Sequence, residues 1–150
     1  MLKNLVVNSS ARKTINKTAI HAVVSKLRKE LGFEISSLVI NFVTSKEIIA
    51  VNAKFLEHQY STDIITFNYN DNHDILDGEI IISFEDAEKN ANRFRVKVNQ
   101  EIIRLVIHGI LHLLGYDDQS KNDRLVMKKL ENKLCADYWL IFRATKIYNL

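Results

Sequence analysis

Residues 108–118 read HGILHLLGYDD, and this stretch decides both the fold and the chemistry that we expect. Residues 105–114 are apolar apart from two histidines and one glycine, a composition that predicts a buried helix. His108 and His112 are four positions apart, so both imidazoles lie on one face of that helix. Gly115 then provides a residue that tolerates the left-handed conformation at a helix end, which allows the chain to turn back.

This stretch predicts a metal site on the buried helix and the turn that follows it. Asp118 comes three residues after Gly115, on a segment that can return toward the histidines. Two imidazoles and one carboxylate form a ligand set for a transition metal, with zinc as the first candidate, and leave a fourth position for water. A single buried histidine is usually a core residue bonded to backbone, but this combined spacing favours a metal site. We therefore predict His108, His112 and Asp118 as the metal ligands.

Apolar periodicity in the rest of the chain predicts an α+β fold. Strands and helices alternate at first, two strands then follow in succession, and helices complete the chain, which is typical of a small mixed sheet of about four strands flanked by helices. We predict one domain over residues 1–150, with Asn99 capping the histidine helix and His21 exposed. The predicted strands are residues 5–7, 38–43, 62–69 and 80–82, and the other predicted helices are residues 14–31 and those beginning at Thr44, Ser83 and Ser120.

The charges are unevenly distributed, although the net charge is only +3. Residues 1–29 and 120–150 are rich in lysine and arginine, whereas residues 55–88 contain nine acids and no lysine or arginine. This asymmetry suits a polyanionic partner that approaches the termini, and Arg12, Lys13 and Lys17 are the candidate contacts with its anionic groups. From charge alone, a solvated pair of helices explains the pattern equally well.

The composition also limits the class of protein. Cys135 is the single cysteine, which excludes a disulfide framework and a cysteine-based metal cluster. The sequence has no run of about 18 apolar residues, and its first residues lack a signal-peptide layout. We therefore predict a cytoplasmic protein without a membrane partner, and the sequence leaves its oligomeric state open.

Several segments together resemble the YbeY family of bacterial endoribonucleases. Residues 108–117 match its string H-G-x-L-H-L-x-G-Y-D, residues 61–67 resemble its T-[DN]-V-L-S-F segment, and residues 77–80 resemble its L-G-D-I segment. The resemblance implies a metal-dependent single-strand endoribonuclease that processes ribosomal RNA, including the 3′ end of small-subunit RNA, and acts in ribosome quality control. It also implies that the partners are ribosomal RNA and the small subunit, and that the histidine helix packs against the sheet.

The chain departs from the family pattern at two positions. Asp118 replaces the third histidine of the signature, and this favours harder ions such as manganese as an alternative to zinc. Leu56 stands where the family commonly has an arginine, so that a phosphate contact is missing there. His58 is the candidate to replace this contact, and Asp117 is expected to bond backbone amides in the turn or to orient a ligand.

The catalytic base is not identified by the sequence. Asp63 and Glu79 lie in the segments that the resemblance aligns with the cleft, where each is either a structural acid or a base.

Two other functions compete with the endoribonuclease. One is a metzincin-like metalloprotease, favoured by the ligand spacing and opposed by Gly109, because metzincins have their glutamate base at that position. The other is a non-catalytic RNA-binding ribosome-assembly factor that has a structural metal.

Overall fold

A computed structural model describes residues 1–11, 14–55 and 62–149, and within these ranges the chain forms six strands and five helices. The strands are β1 (Leu5–Ser9), β2 (Thr14–Ile15), β3 (Glu34–Val43), β4 (Ile64–Asn68), β5 (Ile75–Ser83) and β6 (Tyr148–Asn149). The helices are α1 (Lys17–Leu31), α2 (Ser45–Phe55), α3 (Phe84–Phe94), α4 (Val98–Leu113) and α5 (Lys121–Phe142).

Four of the strands form one mixed sheet in the order β1-β3-β5-β4. Strands β1, β3 and β5 are parallel, whereas β4 runs antiparallel to β5, so the connection from β4 to β5 is a direct return rather than a crossover. The short strands β2 and β6 pair separately and antiparallel. This architecture confirms the predicted α+β fold with a mixed sheet of four strands flanked by helices.

The two faces of the sheet differ because side chains alternate along each strand. One face carries the large core, which includes α1, α4 and α5 as well as the sheet residues Leu38, Ile40, Phe42, Ile80 and Ile82. The opposite face packs a smaller cluster against α2, namely Ile48, Ile65 and Ile81. The histidine helix α4 therefore lies on the large-core face. No helix in the described ranges is both long and apolar enough to cross a membrane.

Two glycines allow α4 to approach the sheet closely. A Cβ atom added at Gly109 would lie 2.9 Å from Cδ1 of Ile80 and 3.1 Å from Cδ1 of Ile64. A Cβ added at Gly78 in β5 would lie 2.5 Å from the backbone oxygen of Phe67 and 3.0 Å from Cδ2 of Leu113. Any larger residue at either position would move the helix away from the sheet or distort the packing.

Four helix ends agree with the sequence. Gly32 ends α1 with φ of 73°, and the side chains of Thr44, Ser83 and Ser120 accept hydrogen bonds from backbone amides at the starts of α2, α3 and α5. The predicted start of the first helix at residue 14 is wrong, because Thr14–Ile15 forms a strand and Asn16 caps α1.

The predictions for Asn99 and His21 are wrong. Lys97 occupies the N-cap position of α4, and Asn99 lies inside the first turn, where its Nδ2 donates to the backbone oxygen of Thr145. His21 is only 7% exposed, and its Nδ1 accepts a hydrogen bond from the backbone amide of Leu2. Both side chains form hydrogen bonds with backbone groups that are distant in sequence, so the local pattern could not reveal these roles.

Gly109→Glu should unfold or strongly destabilise the protein. The new side chain would be forced among buried isoleucines and would carry an unpaired charge, so we expect a loss of about 3 kcal/mol or more. Gln100→Glu adds the same charge to the partly exposed first turn of α4, where the helix dipole favours it, and should leave stability within about 0.5 kcal/mol. Urea denaturation of both variants measures the difference, and equal stabilities would show that α4 does not depend on this close contact.

Candidate metal centre

The two histidines of α4 direct the same ring nitrogen toward a common point. The Nε2 atoms of His108 and His112 are 3.1 Å apart. Two nitrogens that each lie about 2.0–2.1 Å from one tetrahedral zinc would be roughly 3.3 Å apart, so the observed separation fits a shared metal. Without a metal, the same separation suits a hydrogen bond between the rings. The pair therefore fits two of the three predicted ligand positions.

The other side of each ring is held by the protein. The carboxylate of Glu131 accepts a hydrogen bond from Nδ1 of His108, and the ring of His112 hydrogen-bonds with the backbone of Tyr116. Burial and the neighbouring His108 lower the pKa of His112, so its neutral form, the one that binds metals, is favoured. These contacts leave the Nε2 atoms available on the inner side, which is the usual arrangement of metal-binding histidines.

Glu131 belongs to a buried network of charged side chains between α4 and α5. Glu131 and Glu101 are each 2% exposed, and Arg104 lies between them. Arg104 donates to both carboxylate oxygens of Glu101 at 2.7 Å and lies 3.6 Å from Oε2 of Glu131. Burial opposes ionisation of Glu131, but His108, Arg104 and Lys128 outweigh it and lower the pKa of that carboxyl. Glu131 therefore stays ionised beside His108.

Asp63 joins this network and does not reach the histidines. Its Oδ2 lies 3.8 Å from Nη2 of Arg104 and accepts a hydrogen bond of 3.0 Å from Asn90. Asn90 also donates to Glu101, so the two carboxylates are linked through one amide. The geometry gives Asp63 a role in holding Arg104.

Glu79 lies on the opposite face of the sheet, where it accepts hydrogen bonds from Tyr69 and Asn41, and so it is remote from α4.

The turn after α4 brings Asp118 to the same cleft as His108. Gly115 has φ of 99°, and the chain then runs through an exposed segment in which Oδ1 of Asp117 accepts the backbone amide of Gln119. Asp118 is exposed and lines the cleft, while Arg124 donates to its backbone oxygen at 3.2 Å. In the part of the chain that the structure describes, no three metal-binding side chains form a cluster, so Asp118 stays a prediction as the third ligand.

The cleft beside His108 has a volume of about 530 Å³ and is rich in cations. Arg104, Lys121, Arg124 and Lys128 line it together with the carboxylates of Asp118 and Glu131. A second cleft of about 490 Å³ adjoins it and shares Arg104 and Lys128. His108 therefore lies in a groove where positive side chains outnumber negative ones, an environment that attracts anions.

Comparison with known proteins now identifies the family. The family model for Endoribonuclease YbeY matches residues 3–138 of the chain. The chain belongs to the YbeY family. A relative named Endoribonuclease YbeY from Chlorobium limicola is 40% identical over 127 residues, which are 85% of this chain and 88% of the relative. One with the same name from Bacteroides fragilis is 38% identical over 117 residues, 78% of this chain and 81% of the relative.

A solved structure shares the fold. The solution structure of a protein from Thermotoga maritima matches with a TM-score of 0.70 and 26% identity, covering 93% of this chain and 92% of that chain. The resemblance read from residues 108–117 is thus confirmed at the level of the YbeY family and of its fold.

The other predicted site residues of this YbeY-family chain have different outcomes. Arg12, Lys13 and His58 lie outside the described residues, as does Leu56, so their roles stay predictions. Lys17 is exposed at the start of α1 and does not line the His108 cleft.

Sequence reasoning missed Glu131, Glu101 and Arg104. A signal for Glu131 did exist, because it lies between Met127 and Leu134 on the buried stripe of α5, where helical periodicity calls for an apolar residue.

Glu131→Gln should weaken metal binding about tenfold. Glutamine keeps the shape and an oxygen that accepts from His108, but it removes the negative charge that makes the imidazole a better ligand, and losses of about 10–100-fold are typical for such partners. Asp137→Asn removes one negative charge from an exposed position on the same helix and serves as the control. Competition against a zinc-binding dye measures both affinities. If the two variants bind zinc equally well, Glu131 does not orient His108.

Proposed function

We propose that this chain is a metal-dependent single-strand endoribonuclease that acts in ribosomal RNA processing, including maturation of the 3′ end of small-subunit RNA, and in ribosome quality control. Its membership of the YbeY family supports the endoribonuclease activity, because the curated relatives share that name over most of the chain. The observation that carries the proposal is the pair of histidine Nε2 atoms 3.1 Å apart, one of whose histidines, His108, lines a cleft rich in cations. RNA is an anion that such a cleft attracts.

The proposed ligands are His108, His112 and Asp118, and the cofactor is one divalent ion, either zinc or manganese. When bound, the ion supplies a Lewis acid that stabilises the negative charge developing on the scissile phosphate. The chain's own residues prepare the site. Glu131 holds the ring of His108, and His108 together with Arg104 and Lys128 keeps Glu131 ionised, so His108 stays oriented with its Nε2 atom toward the cleft.

The metalloprotease alternative is not favoured. Metzincins place their glutamate base directly after the first histidine, and here that position is Gly109. A side chain at Gly109 would contact Ile80 and Ile64 in the sheet. Even a glutamate there would start on the sheet side of α4, whereas His108 lines the cleft. Position 109 therefore provides neither the metzincin base nor a place for one next to the cleft.

The alternative of a non-catalytic assembly factor differs in one measurable respect. Both it and the nuclease would bind ribosomal RNA of the small subunit in the cytoplasm, which are the partner and location that we propose. Only the nuclease would cut the RNA, so a cleavage assay separates the two functions.

The metal-loaded protein should cleave single-stranded ribosomal RNA and should not cleave an unfolded protein. Asp118→Ala should abolish RNA cleavage, because the proposed third ligand is lost. Gel analysis of 3′-terminal small-subunit RNA and of unfolded casein measures both activities under the same conditions. RNA that is bound but left intact would favour the assembly factor, and metal-dependent cleavage of casein would favour the protease.

The metal content of three variants tests the choice between the adjacent acids. Asp118→Ala should lose metal, whereas Asp118→His should retain it and should favour zinc over manganese. Asp117→Ala should retain metal, because the Asp117 carboxylate accepts a backbone amide within the turn. Elemental analysis of the purified proteins measures the bound ion. A metal-free Asp117→Ala beside a fully loaded Asp118→Ala would reverse our assignment.

A further inference from the structure

The first turn of α5 carries cations where they weaken the helix. Lys121 is its first residue and Arg124 follows one turn later, while the last turn of α5 contains no basic residue. The helix dipole favours anions at the N-terminus and cations at the C-terminus, so it opposes Lys121 and Arg124, although it favours Asp123 in the first turn and Arg143 at the C-cap. Helix α1, in contrast, has its basic residues Arg28 and Lys29 in the last turn. The cations of α5 are therefore not explained by helix stability.

These cations form one stripe that lines the His108 cleft. Lys121, Arg124 and Lys128 are spaced by three and four residues, so they lie on one side of α5 and extend over roughly 10 Å of helix. All three are exposed. Within the described ranges, no carboxylate lies within ion-pair distance of Lys121 or Arg124, whereas Lys128 is 3.5 Å from Glu131 with a side chain 63% exposed. The stripe therefore presents positive charge to an incoming ligand.

We infer that Lys121, Arg124 and Lys128 bind backbone phosphates of the RNA strand next to the scissile phosphate. This inference rests on the proposed endoribonuclease function and names the residues that hold its substrate. Lysine and arginine are the side chains that bind RNA phosphates, and the stripe shares the cleft with His108. Leu125 lines the same cleft and is 60% exposed, which places an apolar surface beside the phosphate contacts for a sugar or base.

Arg104 does not provide this contact, although it lines the cleft. Its guanidinium is engaged by Glu101, Glu131 and Asp63, so little of its charge is left for a phosphate. Position 56, where the family pattern has an arginine, holds a leucine. The stripe on α5 thus supplies positive charge that neither the paired Arg104 nor the neutral Leu56 provides. Because Lys128 also lines the adjoining cleft, the RNA strand has a path onward along the groove.

The test compares two matched double variants on α5. Lys121→Gln/Lys128→Gln removes two charges from the stripe, and Lys129→Gln/Lys133→Gln removes two from exposed positions that do not line the cleft. Binding is measured on the metal-loaded proteins by fluorescence anisotropy over a salt series. The probe is a single-stranded DNA oligonucleotide, which has the same backbone phosphates and resists ribonuclease cleavage. Cleavage of single-stranded RNA is measured in parallel.

The stripe variant should bind at least about tenfold more weakly at low salt. The slope of log affinity against log salt should become shallower by about 0.7 for each lost contact, so by about 1.4 for the pair. In the cleavage assay KM should rise with little change in kcat, because the removed contacts hold the strand equally in the ground and transition states. The control variant should match the wild type. Lys121→Gln alone, which leaves Lys128 beside Glu131, should lower the slope by about half as much.

Three results would overturn the inference while leaving the proposed function intact. The first is an unchanged salt slope in the stripe variant of a protein that still cleaves RNA. The second is an equal decrease in both double variants, which would indicate general charge rather than a site. The third is a decrease confined to an Arg12→Gln/Lys13→Gln/Lys17→Gln variant, which would place the contact at the amino-terminal cations instead. A wild-type protein that fails to cleave any RNA would instead count against the proposed function.

Discussion

Arg104 between two buried carboxylates is the interaction on which the site depends. Removing Glu101 and Glu131 from water costs several kcal/mol for each ion, and only close pairing with good hydrogen bonds offsets that cost. Arg104 provides this pairing for Glu101 through two short hydrogen bonds, and it shares Glu131 with His108. Glu131 links α5 to α4 through two residues of α4, because it accepts a short hydrogen bond from His108 and forms an ion pair with Arg104. The orientation of His108 therefore follows from the pairing of buried charged side chains between α4 and α5.

The packing of α4 against the sheet determines which of its faces remains open. Gly109 faces Ile80 and Ile64 at a distance that excludes any side chain, so the neighbouring position 108 is turned toward α5 and the cleft. Since residues four apart share one helical face, His112 follows His108. A one-residue shift that placed His108 at the position of Gly109 would direct its ring at the sheet and away from the cleft. The same glycine thus sets the register of the proposed metal ligands and removes the position that a protease would use for its base.

The features that the sequence predicted correctly are those that depend on residues close together in the chain. The histidine pair, the glycine turn at Gly115 and the serine caps each depend on residues within one or two helical turns, and the strands follow from alternation along short runs. Glu131 is 23 residues after His108, so its contact depends on the packing of α5 against α4, which no short pattern encodes. The same reason explains the errors at His21 and Asn99, whose partners are Leu2 and Thr145. The shared helical face of the two histidines was therefore predictable from their spacing, whereas the network of charged side chains around them was not.

Both departures from the family pattern remove positive charge from the chain. Asp118 in place of a histidine makes the proposed metal site one unit less positive, and Leu56 is neutral where the family pattern has an arginine. The stripe on α5 places three cations at the His108 cleft, although the helix dipole opposes the two that lie in or just after the first turn. Attraction of a polyanion depends on the summed potential of the cleft rather than on any single residue, so cations grouped on one helix can provide the positive charge that no single arginine provides.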